Sequence, residues 1–299
     1  MPPMFSSMRL VSLLAVAAAL ALAGAGCGGG GGAATTSDAA HGASGKHSQA
    51  GASGAAGSDH AARRVPVLVA PPNAPARSAQ VPVLTYHRVA PLNAVGITDL
   101  KVEPSTFVAE LAALHAGGYH TIHQWQLFDA LYKHRTLPSK PVIISVDDGY
   151  IDDVTRILPA LQRFHMVATF FVITGRMSEP GFLDANQIRQ LDSAGMDVGD
   201  HTAHHVDLRQ LDATQLQTET AGSRRVLERV LGHPVYFFAY PFGAFDDQVV
   251  GAVHAAGFTM AYTTAGGTTE TTTSPLTMPR VHVGRAETPS GLLSLLGGA

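Results

Sequence analysis

At 299 residues and 45% apolar side chains, the chain is long enough for one large domain or two small ones, with apolar material for a buried core. Its charged fraction of 14% falls well below the roughly 25% of an average soluble chain. The formal net charge of −3 offers no basic face for nucleic acid, and a single cysteine, Cys27, excludes an intramolecular disulfide.

Arg9 followed by the apolar run Leu10 to Ala23 has the charged-then-apolar order of a secretory signal and is short for a bilayer span. Cys27, directly after Leu22-Ala23-Gly24-Ala25-Gly26, resembles the lipidated cysteine of a bacterial lipoprotein signal, although Gly24 stands where such signals usually carry leucine. Residues 1–27 are thus expected to be an export signal of the lipoprotein type. The protein would then be secreted across the cytoplasmic membrane and anchored to the cell envelope, touching the membrane only through Cys27. Residues 28–80, rich in Gly, Ala, Ser and then Pro, read as a disordered tether, because such a composition cannot offset the entropy of ordering it. His41, His47 and His60 fall in this segment without the spacing of a site.

From Val81 onward short apolar runs alternate with stretches of helical periodicity, so residues 81–299 are expected to form one domain. Strands are predicted at Val81–Tyr86, Val142–Val146, Ala168–Ile173, from Met196, at Tyr236–Tyr240 and at Phe258–Tyr262. Helices are predicted at Ser105–His115, Ile151–Phe164, Ala185–Ala194, Thr214–Leu231 and Asp247–Ala256, with glycines at or near the stops of four of them. Repeated strand–helix units imply an α/β fold with parallel strands, in an open sheet or a barrel. Tyr86-His87, Asp147-Asp148, His201 and Tyr240-Pro241-Phe242-Gly243 each fall at the C-terminal end of a predicted strand, and a barrel would gather those ends into one mouth.

Asp147 and Asp148 alone could be turn and capping residues. His201 and His205, spaced i, i+4, would share one face of a helical turn and could hold a metal. A carboxylate and two imidazoles suit a divalent cation with open positions for water and substrate, leaving the second carboxylate free to take a proton. His204 could enter a different pair.

Ser145-Val146-Asp147-Asp148-Gly149-Tyr150 resembles the Thr-Phe-Asp-Asp-Gly motif of the polysaccharide deacetylases (carbohydrate esterase family 4, the NodB-homology domain). His201-Thr202-Ala203-His204-His205 matches that family's His-Ser/Thr-x-x-His motif. The resemblance covers most of residues 81–285 and implies a distorted (β/α)7 barrel in a single catalytic domain. Carried over by position, it makes Asp147 the catalytic base and Asp148, His201 and His205 the ligands of one divalent ion, with zinc the default and cobalt, nickel or iron compatible. His204 falls on a variable position.

Two departures matter. The family's Arg-x-Pro-Tyr-Gly motif reads Ala239-Tyr240-Pro241-Phe242-Gly243 here, without the arginine that orients the aspartate. Arg280 is a candidate replacement. The Phe242 N–H, with Tyr240 beside it, would face the oxyanion and substrate. Most members carry the general-acid histidine near the C-terminus, where His282 in Pro279-Arg280-Val281-His282-Val283 fits. But Val83-Leu84-Thr85-Tyr86-His87 and Phe238 to Gly243 resemble the circularly permuted subgroup that deacetylates poly-N-acetylglucosamine in biofilms, which implies His87 as the acid.

The expectation is a monomeric, metal-dependent hydrolase that removes N-acetyl groups from polysaccharides containing N-acetylglucosamine, poly-N-acetylglucosamine of the extracellular matrix first among them. The alternatives are a peptidoglycan or chitin deacetylase, an acetylxylan esterase, or a silent carbohydrate-binding module keeping a vestigial metal site. A purely structural zinc site would call for a closed shell, commonly with cysteine, which residues 81–299 lack.

Overall fold

The computed structural model describes residues 66–297; the expected signal, the lipidation site at Cys27 and most of the expected tether lie outside the described residues. The strands in chain order are β1 (Ser78–Gln80), β2 (Val83–Tyr86), β3 (Arg88–Val89), β4 (Lys101–Val102), β5 (His120–Thr121), β6 (Pro141–Val146), β7 (Thr169–Val172), β8 (Asp197–Asp200), β9 (Phe237–Ala239), β10 (Met260–Tyr262), β11 (Thr269–Thr271) and β12 (Val281–His282). The helices are α1 (Pro104–Ala116), α2 (Gln124–Lys133), α3 (Leu158–Arg163), α4 (Ala185–Ser193), α5 (Ala213–Gln217), α6 (Ser223–Leu231), α7 (Asp247–Ala255) and α8 (Pro289–Leu295).

Val142, Ile143 and Ile144 are all buried, as a continuous apolar run requires of a strand covered on both faces. They lie in β6, an interior strand of a parallel sheet ordered β12-β2-β6-β7-β8-β9-β10, with β5 paired to the first residues of β6. The sheet curls into an incomplete barrel, and its seam between β10 and the chain leading to β12 is joined by the bridge Tyr262–Met278. This is the α/β architecture expected, in distorted form.

The pleat separates two apolar layers. Val83, Ile143, Phe171 and Phe237 point into the barrel with Met260, whereas Leu84, Ile144, Phe170 and Phe238 pack outward against the helices. Leu127, Phe128 and Leu131 of α2 join the inner layer. The Gln124 N–H donates to Asp197 at the start of β8 (3.0 Å), so α2 closes the N-terminal end of the barrel. The opposite end is left open for chemistry.

The structure corrects four sequence expectations. The ordered domain begins before Val81: Leu68 is buried in the inner layer, and β1 pairs antiparallel with β11, so the tether does not extend to residue 80. Apolar residues among the prolines supply the anchor. Helix α2 is absent from the predicted elements, although Leu127, Phe128 and Leu131 stand at the spacing of one helical face. Ile151–Phe164 and Thr214–Leu231 are not uniform α-helices, since single π turns at Asp153–Ile157 and Thr218–Gly222 interrupt them. Finally, His201 to His205 is a loop, with Thr202 at φ 68° and His205 at φ 53°, and not a helical turn.

A buried carboxyl in α1 is expected to make the stability of the fold depend on pH. Tyr86 donates from its hydroxyl to Glu110 Oε2 (3.0 Å), while burial pushes the Glu110 carboxyl up to about 7. Unfolding releases it to an ordinary value near 4.5, so the native state holds the extra proton between those pH values. Stability from this group is therefore complete at low pH and lost as pH rises through about 7, up to about 3 kcal/mol in all. Glu110→Gln is expected to flatten that slope in denaturant titrations from pH 5 to 8; an unchanged slope would refute the assignment.

Candidate active site

Four strand ends build the open mouth. Asp147 and Asp148 follow β6, His201 follows β8, Tyr240 follows β9 and His87 follows β2. They line one cavity of about 700 Å³. Asp148, Thr202, His205 and Phe242 all have positive φ, half of the eight non-glycine residues that do so among the described residues. Such backbone costs of order 1 kcal/mol or more per residue and persists where surrounding contacts over-determine it.

Those contacts are visible at the histidine loop. Asp200 Oδ1 accepts the Thr202 N–H (2.7 Å), Thr202 Oγ1 accepts the His205 N–H (2.9 Å), and the Gly175 N–H donates to the Ala203 carbonyl (2.8 Å). Gly175 must lack a side chain: a Cβ there would lie 2.4 Å from the Ala203 oxygen. The carboxylate of Glu219, in the second π turn, accepts the main-chain N–H groups of Ala203 and His204. Neither Gly175 nor Glu219 belongs to a motif visible in the sequence, and only the fold brings them to the loop.

The loop turns two imidazoles toward Asp148. His201 Nε2 lies 3.7 Å and His205 Nε2 3.6 Å from Asp148 Oδ1. His201 Nδ1 donates to the Ala239 carbonyl (2.7 Å), which leaves Nε2 with its lone pair. Burial pushes His201 down to about 3 and lowers His205, so both rings are neutral and ready to ligate. Burial, and then the neighbouring Asp147 charge, push Asp148 up to about 7, a penalty that a bound cation would relieve. Ligand atoms about 2.1 Å from a tetrahedral ion sit about 3.4 Å apart, so the cradle fits a divalent metal. Asp148, His201 and His205 are also the group of His, Cys, Asp and Glu side chains among the described residues whose ligand atoms converge within 4.8 Å.

Asp147 is held apart from this cradle. Arg280 grips it through two parallel bonds, Nη1 to Oδ1 and Nη2 to Oδ2, each 2.8 Å, with both side chains 2% exposed. Arg280 Nε donates to the Thr263 carbonyl (3.0 Å). Burial alone would raise the Asp147 carboxyl, but the guanidinium more than reverses this and holds it below the usual carboxylate range. The arginine missing before Tyr240 is thus supplied by the residue that precedes β12.

His87 and His282 stand edge to face with ring centroids 5.7 Å apart, and both line the cavity. His87 is partly buried, with Nδ1 shielded from solvent and making no hydrogen bond among the described residues, whereas His282 is exposed. Burial pushes His87 down to about 4, against the pull of Asp147. Phe242, 65% exposed, sits in the turn after β9 with its ring 4.7 Å from that of His205. Tyr240 lines the cavity, but its hydroxyl is committed to the Leu276 carbonyl (2.8 Å), so it brings no free phenol to a substrate. Arg88, Tyr150 and Arg176 line the cavity and are stacked around the buried Phe182: Arg88 lies 4.5 Å over Tyr150, Tyr150 packs on Phe182 at 4.6 Å, and Arg176 lies 3.9 Å over Phe182.

Comparison with known proteins agrees with this geometry. The profile of the family described as polysaccharide deacetylase matches residues 134–261. The Bacillus subtilis protein YxkH, whose name places it among polysaccharide deacetylases, is 27% identical over 207 residues, covering 69% of this chain and 72% of that one. The peptidoglycan-N-acetylmuramic acid deacetylase PdaA of B. subtilis is 26% identical over 133 residues, covering 44% of this chain and 49% of PdaA. Among solved structures, the polysaccharide deacetylase BC0361 of Bacillus cereus superposes with a TM-score of 0.66 at 29% identity, covering 73% of this chain and 69% of that one.

Proposed function

Since the chain belongs to the polysaccharide deacetylase family and is a hydrolase, we propose that it removes N-acetyl groups from an N-acetylglucosamine polymer, poly-N-acetylglucosamine of the extracellular matrix first among them. The observation that carries this reading is the Arg280-gripped Asp147 beside the convergent Asp148, His201 and His205 in one open cavity. The early Tyr86-His87 pair and Phe238 to Gly243 support the choice of polymer. Zinc is the proposed ion, with export and lipid anchoring at Cys27 the proposed setting.

A divalent cation in the cradle would polarise the acetyl carbonyl and acidify the attacking water. Asp147, fixed in orientation by Arg280, takes that water's proton as oxygen adds to the carbonyl carbon. The main chain at Phe242 faces the oxyanion that develops. His87, neutral in the resting site, takes up a proton from solvent as negative charge develops beside it and passes that proton to the nitrogen as the C–N bond breaks, because an amine departs poorly as an anion. The products are acetate and a free amino sugar.

The similarity to PdaA keeps peptidoglycan as the second substrate to test. Acetate release should be measured from poly-N-acetylglucosamine, chitooligosaccharides, peptidoglycan and acetylxylan, before and after chelation. We expect release from the N-acetylglucosamine polymers, its loss with chelator and its return with zinc or cobalt. Release from xylan alone would overturn the substrate, and activity surviving exhaustive chelation would overturn the metal.

A further inference from the structure

His204 lies outside the metal cradle, yet its ring is anchored. Nδ1 donates to Glu219 Oε1 at 2.6 Å, while the other oxygen of that carboxylate accepts the N–H groups of Ala203 (3.1 Å) and His204 (2.8 Å). Glu219 is 5% exposed, but the His204 side chain is 62% exposed on the cavity wall. The ring edge rests on Gly175, where an added Cβ would approach Cδ2 to 3.2 Å. With Nδ1 committed, Nε2 is the ring's remaining polar atom, and no group of the described residues bonds to it.

Clamping the loop does not require this ring, since Glu219 already accepts two main-chain N–H groups. A buried carboxylate that also fixes the tautomer and tilt of an exposed imidazole presents a lone pair at a set place. Arg176 and Glu179, like His204, line the cavity that holds the cradle. We propose that His204, oriented by Glu219, is a substrate-positioning residue whose Nε2 accepts a hydrogen bond from a hydroxyl of the sugar unit flanking the one that loses its acetyl group. This rests on reading the site as a polysaccharide deacetylase, and it makes the binding unit longer than a single sugar.

Asparagine places its amide near the former Nδ1 and glutamine near the former Nε2, so the two substitutions separate the roles. For zinc-loaded protein acting on the N-acetylglucosamine tetramer, His204→Asn should raise KM about three- to tenfold, the loss of one hydrogen bond, with kcat within about twofold. His204→Gln should return KM to near wild type, and zinc affinity by calorimetry should be unaltered in both. The reverse order, with Asn normal and Gln impaired, would make His204 a loop clamp only and overturn the proposal, as would a loss confined to kcat or to zinc affinity. Calorimetric binding of the same tetramer in the Asp147→Asn background gives the same ordering without turnover. If the wild type releases no acetate from any N-acetylglucosamine substrate, the deacetylase reading fails, while the binding order still decides the role of His204.

Discussion

Arg280→Met is expected to destabilise the protein by about 3–5 kcal/mol, because it strands a buried carboxylate, and to lower kcat by about a hundredfold or more. Both side chains of the Arg280–Asp147 pair are 2% exposed, so water cannot take over the lost bonds. The bidentate grip also fixes the plane of the Asp147 carboxylate, which a single point charge would not do. Stability and catalysis should then separate in a double variant. Asp147→Asn/Arg280→Met removes both charges and should recover much of the stability lost in the single change, yet remain inactive because the base is gone. Denaturant melts and acetate release on the four proteins of this cycle decide the matter. An Arg280→Met variant as stable as wild type, or a double variant no more stable than Arg280→Met, would show that the pair does not organise this site.

The parallel α/β plan was legible because it is written locally, in runs such as Val142-Ile143-Ile144 and in glycine stops such as Gly195, Gly232 and Gly257. The cradle was legible for a different reason: Asp148, His201 and His205 sit at strand ends, and parallel strands in a barrel bring such ends together without further information. Contacts set by long-range packing were readable only in part. Arg280, a candidate from the sequence, does reach Asp147 across 133 residues of chain, whereas Glu219 reaches the histidine loop from a π turn that no propensity marks. The i, i+4 spacing of His201 and His205 suggested a helical turn, but Asp200, Gly175 and Glu219 hold the loop in a left-handed conformation instead. Local pattern lost there to tertiary hydrogen bonding. The early start of the ordered domain escaped notice likewise, since Leu68 and β1 have no periodicity and gain their burial only from the finished barrel.

His87→Ala should lower kcat by about 10²- to 10⁴-fold, the range for losing a general acid, whereas His282→Ala should cost less than about tenfold. The two rings are neighbours, so proximity alone does not choose between them. Their settings do. His87 is carried on the end of β2, paired on both sides by β6 and β12, and its Nδ1 edge is shielded while the ring borders the cavity. A proton moved there passes through a partly buried ring on which the Asp147 charge acts directly. His282 is exposed, so solvent both screens its charge and can replace it as a proton source. Neither ring belongs to the cradle, and zinc affinity should therefore be unchanged in both variants, which separates proton transfer from metal loss. Should His282→Ala be the damaging change while His87→Ala stays active, the acid would come from the C-terminal strand, and the permuted order of elements would have no catalytic meaning in this chain.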